Sequence, residues 1–192
     1  MLPIALDLGR LPVVLVGRGA AACRRLALLD RAGARRVRVF ADCPEPDLAR
    51  AAGDRLCRRL PARIELADAA LVLVCDLPRP LAGALAADAR ALGRLVNVED
   101  EIALCDVHMP AIVRRGDLVL AISTGGKSPG LARALKEWLE RLLDAKWGAR
   151  LEMLARRRAR WRAEGHLGLQ LSALTDALIA RKGWLAGDRD AT

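Results

Sequence analysis

Aromatic residues are scarce in this sequence, which has no tyrosine, one phenylalanine (Phe40) and four tryptophans. Proteins that bind single-stranded nucleic acid stack the bases on aromatic side chains, so this scarcity argues against that class. No apolar run approaches the roughly 20 residues of a membrane span, and the N-terminus lacks a basic leader with a small-residue cleavage site. We therefore expect a cytoplasmic protein with an aliphatic core, and neither a membrane nor a nucleic acid as its partner.

Cysteine and lysine are also sparse. The five cysteines are scattered without a CxxC pair, which is typical of free thiols in a reducing compartment. Lysine supplies only four of the 32 basic residues, arginine supplies the rest, and the formal net charge is +9. This skew fits either a genome that favours arginine and alanine or a polyanionic ligand. A small substrate with several carboxylates would satisfy the second interpretation as well as nucleic acid does.

Apolar runs and helical spacing alternate through the first half of the chain. Strands are predicted at 11–17, 36–41, 70–75 and 95–100, and helices at 20–33, 47–56 and 79–93. This order predicts an α/β fold with a doubly wound parallel sheet of the Rossmann type. A further strand (117–123) and helix (129–143) follow, and only two helical stretches are indicated from Lys146 onward.

A GxGxxA pattern, made by Gly17, Gly19 and Ala22, lies between the first strand and the first helix. In a dinucleotide site the first glycine permits the tight turn, the second lets a pyrophosphate approach the backbone, and the third small residue lets helix and strand pack closely. The free N–H groups of the helix then face the phosphates. The pattern predicts dinucleotide binding, and the alternative is a tight βα turn without a ligand.

An acid after the second strand bears on the choice of dinucleotide. Asp42 can bind the adenosine ribose and favours NAD, whereas Arg35, Arg36 and Arg38 keep NADP open. The cofactor contacts predicted from these two segments are Gly17, Arg18, Gly19, Ala20, Ala21, Ala41 and Asp42.

A second glycine-rich segment, STGGKSPG (123–130), ends as a Walker A motif does. That motif requires glycine where this chain has Ala121, so we exclude nucleotide hydrolysis. Ser128 is instead predicted to be a helix N-cap, with Pro129 at the first helical position. The backbone N–H groups of the loop, together with Lys127, either bind a carboxylate or phosphate or form a simple connector.

These motifs together resemble one family. The glycine loop is followed by Asn97-Val98-x-Asp100, Met109-Pro110-Ala111-Ile112 and Ser123-Thr124-Gly125-Gly126-Lys127-Ser128-Pro129. Over nearly its whole length the chain is similar to the dehydrogenase/ferrochelatase part of siroheme synthase, which converts precorrin-2 through sirohydrochlorin to sirohaem. The resemblance implies an NAD-binding Rossmann domain (1–112), a central strand-helix segment (113–145) and a helical dimerisation region (146–192). The methyltransferase domain fused on in some members is expected to be absent, since the chain ends at Thr192.

The resemblance also assigns roles to the acids at the end of the fourth predicted strand. Asp100 matches the family's catalytic aspartate, expected at the carboxyl edge of the sheet beside the nicotinamide. In this family NAD⁺ takes a hydride from the reduced macrocycle, and such a carboxylate can accept the proton, or take pyrrole protons when Fe²⁺ is inserted. Glu99 and Glu101 are expected to be solvated or structural. Cys75 and Asp76 stand where alanine and threonine are common, and they complete the predicted cofactor contacts.

The family's substrate is a tetrapyrrole with eight carboxylate side chains, which basic residues near the cleft would attract and orient. The residues expected to bind it are His108, Arg114, Arg115, Ser123, Thr124 and Lys127. For His108 two other interpretations stay open, ordinary packing or metal ligation with Cys105 and Asp106. We expect no resident metal.

The sequence therefore predicts an NAD-dependent precorrin-2 dehydrogenase, with sirohydrochlorin ferrochelatase as a possible second activity. An NAD-sensing regulatory module would use the glycine loop without needing Asp100, and a nucleic-acid-associated protein would use the basic tail alone. A homodimer is expected because a short helical tail cannot cover all of its own apolar positions. Those positions are Leu167, Leu169, Leu171, Leu174, Leu178 and Ile179.

Overall fold

Residues 2–185 are described by the computed structural model, and the chain divides between Met109 and Pro110 into two units. The first unit alternates strands and helices along the chain. Its elements are β1 (Pro12–Val16), α1 (Ala20–Arg31), β2 (Arg36–Phe40), α2 (Pro46–Ala52), β3 (Leu56–Cys57), α3 (Arg63–Ala67), β4 (Leu71–Val74), α4 (Arg79–Ala91) and β5 (Leu95–Val98).

All five strands of this unit are parallel and lie in the order β3-β2-β1-β4-β5. The parallel sheet expected from the sequence is thereby confirmed. The strand order reverses between β1 and β4, and ligands of open α/β sheets bind at the carboxyl ends of the strands flanking such a point. The loops after β1, β4 and β5 are therefore expected to form the ligand-binding site.

Both faces of the sheet are buried, which explains why its strands are nearly continuous apolar runs. Because side chains alternate along a strand, Leu15 and Leu73 pack on one face, whereas Val16 and Val74 pack on the other. Helices α1 and α2 cover the first face, and α4 covers the second. Aliphatic side chains and alanine dominate both cores, and Phe40 is the one aromatic core residue among the described residues.

Two elements of the first unit differ from the sequence prediction. The helix expected over 47–56 ends at Ala52 because Gly53 adopts a positive φ of 52°. The chain then forms the two-residue edge strand β3, followed by the single turn α3. In α3 the backbone N–H of Ala62 donates to the Glu65 carboxylate (2.8 Å), which fixes the start of a helix too short to show a periodic pattern.

The second unit begins with an antiparallel hairpin, β6 (Ala111–Arg115) and β7 (Leu118–Ile122), and continues with α5 (Pro129–Leu142), α6 (Lys146–Ala163) and α7 (Leu169–Lys182). The sequence predicted β7 but not β6. The missed signal is the Gly116-Asp117 turn between two apolar runs, where Gly116 has a φ of 61°. None of the helices within residues 2–185 is both long enough and apolar enough to cross a membrane.

Candidate functional site

The glycine loop lies between β1 and α1, as predicted. A Cβ added at Gly17 would lie 2.8 Å from both the Cβ of Ala22 and the carbonyl oxygen of Cys75. Both contacts are too short for any larger residue. The GxGxxA spacing is therefore explained by close packing of the loop against α1 and the end of β4.

An internal carboxylate marks the anion-binding part of this loop. The N–H groups of Gly19 and Ala22 both donate to Oδ2 of Asp76, at 3.1 and 2.9 Å. Asp76 lies two residues beyond the end of β4 and has a φ of 53°, a left-handed conformation that aspartate tolerates better than most residues. Its carboxylate stands in for a phosphate oxygen, so the N–H groups of the loop converge on the position where a pyrophosphate fits.

The other predicted cofactor contacts fall into two groups. Ala20 is exposed at the start of α1, where a ligand can reach it, whereas Ala21 and Ala41 are buried in the core. Cys75 is also buried, and burial raises the pKa of its thiol to about 12. The Cys75 thiol is therefore neutral at physiological pH and acts by packing.

The predicted ribose-binding acid lies next to the loop. The Arg18 guanidinium donates to both oxygens of Asp42, from Nε at 2.7 Å and from Nη2 at 2.6 Å. These hydrogen bonds hold the pKa of the Asp42 carboxyl below its usual range, so the carboxylate stays ionised and able to accept a hydrogen bond from a hydroxyl.

The arginines that kept NADP open lie elsewhere. Arg35, Arg36 and Arg38 line a cavity of about 440 Å³ with Glu65, at the ends of β1 and β2 where those strands begin. Arg38 pairs with Glu65 there. Because the predicted ribose-binding acid, Asp42, lies at the other end of β2, the structure favours NAD over a cofactor with a 2′-phosphate.

Three consecutive acids follow β5, and the structure gives them different surroundings. Glu99 lies 3.6 Å from Nη2 of Arg24, and Glu101 lies 3.1 Å from Nε of Arg79. Within residues 2–185, Asp100 has no ion pair. It is exposed, lies two residues beyond the end of β5, and has a φ of 61°.

A cavity of about 150 Å³ opens beside these acids, at the carboxyl ends of β4 and β5. A void of this size accommodates a single six-membered ring. Its polar lining includes Asp76, Glu99, Asp100 and Glu101, with Arg79 as the one basic residue among them. Carboxylates therefore outnumber cations in the lining, even though Glu99 and Glu101 are paired with arginines, and this negative charge suits a positively charged ring.

The sequence did not reveal what holds the acidic turn in place. The Sγ of Cys105 accepts a hydrogen bond from the N–H of Val98 (3.2 Å) and lies 3.1 and 3.4 Å from the carbonyl oxygens of Val98 and Glu101. The Nδ2 of Asn97 donates to the carbonyl of Val107 (2.9 Å). The segment after Asp100 thus folds back onto β5, and the contacts of Cys105 and Asn97 together hold the acidic turn in place.

The grouping of Cys105, Asp106 and His108 does not have the geometry of a metal site. Asp106 accepts from the Nε of Arg90 (2.8 Å) and from the N–H of Val96 (3.2 Å), while Cys105 is engaged with β5. Among residues 2–185 no cluster of three or more potential metal-binding side chains is found. His108 is half-buried near the end of the first unit.

The remaining predicted substrate residues belong to the second unit. Arg114 and Lys127 are exposed, whereas Arg115 donates to the carbonyl oxygens of Arg114, Glu140 and Leu143 at 2.7–2.9 Å. Two of the five N–H groups of Arg115 therefore hold the end of α5, and a third is used on the neighbouring Arg114.

The second glycine loop is ordered by its own polar groups. Oγ1 of Thr124 accepts from the N–H of Ser128 (3.2 Å), and Oγ of Ser123 accepts from the N–H of Gly125 (3.2 Å). The N–H of Lys127 donates to the carbonyl of Thr124, so two of the four N–H groups in residues 124–127 are already used within the loop. Ser128 accepts from the N–H of Leu131, which confirms the predicted N-cap.

Comparison with known proteins gives consistent matches along the chain. Residues 4–111 match the family described as "Putative NAD(P)-binding", and residues 115–142 match the one described as "Sirohaem biosynthesis protein central". Siroheme synthase of Ectopseudomonas mendocina is 40% identical over 148 residues, which is 77% of this chain and 32% of that protein. Siroheme synthase 1 of Cronobacter sakazakii is 41% identical over 155 residues, 79% of this chain and 33% of that protein.

The chain spans about a third of the length of these curated relatives. Among solved structures, "SirC, precorrin-2 dehydrogenase" has a TM-score of 0.73 at 26% identity. That match covers 93% of this chain and 89% of the other. It extends the likeness beyond the glycine loop to nearly the whole chain.

Proposed function

Because this chain belongs to the NAD(P)-binding family that matches residues 4–111, we propose that it is an NAD-dependent precorrin-2 dehydrogenase. The reaction is the oxidation of precorrin-2 to sirohydrochlorin in sirohaem biosynthesis. The sirohaem-biosynthesis match at residues 115–142, the siroheme synthase relatives and the likeness to SirC all support this assignment. Five free thiols within the described chain are in keeping with a cytoplasmic location.

The loops at the carboxyl edge of the sheet would hold the dinucleotide. The N–H groups of Gly19 and Ala22 bind the pyrophosphate, and Asp42 accepts a ribose hydroxyl. Bound NAD⁺ supplies the acceptor for the hydride. The carboxylates that follow β5 would attract the cationic ring of NAD⁺ more than the neutral ring of NADH, which favours binding of the oxidised cofactor.

The observation that carries the proposed chemistry is the setting of Asp100. Its carboxylate is the one of three neighbouring acids without an ion pair in residues 2–185, and it borders the cavity suited to the nicotinamide. Loss of a hydride and a proton from the macrocycle requires a proton acceptor, and an unpaired carboxylate beside the substrate serves that purpose. Asp100 is therefore the proposed general base.

The second unit would supply contacts to the acidic substrate. Arg114 and Lys127 are exposed cations with no competing ion pair among the described residues, and hydroxyls of Ser123 and Thr124 lie in the same loop as Lys127. Guanidinium and ammonium groups bind carboxylates strongly, so these four residues are the proposed substrate contacts, with His108 as a fifth. Arg115 contributes mainly by fixing the end of α5.

The test is a spectroscopic assay of precorrin-2 oxidation with NAD⁺ under anaerobic conditions, for the wild type, Asp100→Ala and Asp100→Asn. Both variants should bind NAD⁺ normally and lose a factor of roughly 10² to 10⁴ in turnover, as expected for a missing general base. Asparagine keeps the size of the side chain and tolerates the left-handed backbone, so it isolates the loss of the proton acceptor. Recovery of activity in Asp100→Asn would instead indicate a positioning role.

The matched control is Asp88→Asn, which removes one negative charge from the half-exposed Asp88 on α4 and should retain wild-type turnover. NAD⁺ binding by a wild-type protein that does not oxidise precorrin-2 would favour a regulatory module. Addition of Fe²⁺ to the completed reaction tests for ferrochelatase activity. If Asp100 also takes the pyrrole protons, both Asp100 variants should lose chelation above the uncatalysed rate.

We also propose that the protein is a homodimer. Leu171 and Leu178 are buried within the chain, so they do not require a partner, but Leu167 and Leu169 are 71% and 89% exposed. One side of α5 adds a further exposed apolar stripe, formed by Leu131, Leu135, Trp138 and Leu142. Contact with a second copy is the simplest way to cover this stripe and the start of α7.

A further inference from the structure

The carboxylate of Asp76 occupies the position that the proposed function assigns to the pyrophosphate. Both N–H groups that would bind a phosphate oxygen, those of Gly19 and Ala22, donate to the same oxygen of Asp76. We propose that Asp76 is an internal competitor of the dinucleotide and sets the affinity of the site for it. This inference rests on the proposed function, because it concerns the same cofactor.

The helix itself explains why Asp76 binds there. Gly19 is the N-cap residue of α1 and has no side chain to accept a hydrogen bond, and the first turn of α1 contains no acidic residue. The positive end of the helix dipole is therefore left to an acid from elsewhere in the chain. Asp76 provides it from the end of β4, and in doing so it stabilises the protein without a ligand.

A pyrophosphate and the Asp76 carboxylate cannot use the loop at the same time. They would need the same two N–H groups, and two anions at hydrogen-bond distance from one donor repel each other. The carboxylate of Glu45 adds to this repulsion, since its Oε1 would lie 2.9 Å from a Cβ placed on Gly19. Asp76 is an exposed residue, so its side chain has free space into which it can rotate when the dinucleotide binds.

Competition of this kind predicts two opposite effects of removing the carboxylate. The ligand-free protein should become less stable, because α1 loses its cap. The affinity for the dinucleotide should rise, because no internal anion has to be displaced. A residue with a purely structural role would lower stability without raising affinity.

The experiment compares wild type with Asp76→Asn and Asp76→Gly, both of which accept the positive φ at this position. Isothermal titration calorimetry measures the binding of NAD⁺, ADP-ribose and adenosine, and circular dichroism measures the thermal midpoint without ligand. We expect NAD⁺ and ADP-ribose to bind about tenfold more tightly to Asp76→Gly, which corresponds to about 1.4 kcal/mol. The gain should be smaller for Asp76→Asn, because its amide oxygen can still accept from both N–H groups. Adenosine, which has no pyrophosphate, should bind with unchanged affinity, and the thermal midpoint should fall.

Asp88→Asn is the control for net charge and should bind all three ligands as the wild type does. A similar gain of affinity in this control would assign the effect to overall charge and overturn the proposal. Equal or weaker binding of NAD⁺ by Asp76→Asn and Asp76→Gly would overturn it as well, while leaving the dehydrogenase assignment intact. Absence of NAD⁺ and ADP-ribose binding in the wild type and in every variant would refute the proposed function together with this inference.

Discussion

Glu65 offers a direct test of how electrostatics stabilise the first unit. Its side chain is almost fully buried and accepts hydrogen bonds from Nη1 and Nη2 of Arg59, at 2.6 and 2.8 Å, and from the N–H of Ala62 at 2.8 Å, while Arg38 also pairs with it. The pKa of Glu65 is lowered to about 2, chiefly by the hydrogen bonds from Arg59 and further by those from Ala62 and Arg38. The folded protein therefore strongly favours the ionised carboxylate.

The pKa of an unfolded glutamate is about 4.3, so the folded value is lower by roughly two units, and each unit corresponds to about 1.36 kcal/mol. The upper bound is therefore about 3 kcal/mol. Because both arginine side chains are about half exposed, solvent screening reduces the expected contribution to about 2 kcal/mol. The folded pKa is depressed, so this contribution is fully present above about pH 5 and is lost as the pH falls toward 2.

The perturbation is Glu65→Gln, which keeps the size of the side chain but removes its charge. Urea unfolding at pH 7 should show a loss of about 2 kcal/mol in the free energy of unfolding, and the difference from wild type should be at least halved at pH 3. Far-UV circular dichroism is the appropriate signal, because all four tryptophans lie after residue 109 and their fluorescence would report the second unit.

The control is Asp47→Asn, which removes an acid whose ion pair with Arg50 is about 80% exposed on both sides. An exposed pair of this kind contributes little, so the control should stay within about 0.5 kcal/mol of wild type. A loss below 0.5 kcal/mol for Glu65→Gln at pH 7, or a loss that is the same at both pH values, would refute the reasoning.

Other predictions concern the site and the assembly. Gly19→Asp should abolish NAD⁺ binding in calorimetry, because its carboxylate would occupy the place of the pyrophosphate. The circular dichroism spectrum should stay unchanged, because the nearest contact of the new side chain is the flexible end of Glu45. Unchanged affinity would remove the Rossmann-site assignment. Cys105→Ala should lower turnover by about three- to tenfold at unchanged NAD⁺ affinity, because the turn carrying Asp100 loses its contacts with the thiol. Cys105→Ser, which keeps a hydrogen-bonding group at this position, should recover part of that loss. Light scattering at micromolar concentration should give the mass of a dimer, and a monomer there would contradict the proposed assembly.

The sequence predicted the elements that local patterns define. The strands of the sheet are apolar runs buried on both faces. The GxGxxA spacing of the loop around Gly17 follows from its close packing against the neighbouring helix and strand. Ser128 could be identified as an N-cap because the cap and its helix are neighbours in the chain. These features depend on residues within a few positions of one another.

Features that depend on distant residues could not be predicted in the same way. The contact between Gly19 and Asp76 joins positions 57 residues apart, and only the pairing of β1 with β4 brings them together. The sequence consequently assigned Asp76 to the cofactor, with no indication that its carboxylate fills the anion position. Arg115 resembled a substrate ligand for the same reason, since its partners on α5 lie more than twenty residues away.

The left-handed backbone at Asp100 has an evolutionary consequence. Asparagine and glycine are the residues that accept such a conformation most readily, and neither can accept a proton at neutral pH. A change of the aspartate codon at one base gives asparagine, with almost the same shape. A lineage can therefore lose the chemistry at this position while the turn, the sheet and the dinucleotide site persist. Descendants that retain the architecture but only sense the cofactor are separated from an enzyme of this kind by a single mutational step.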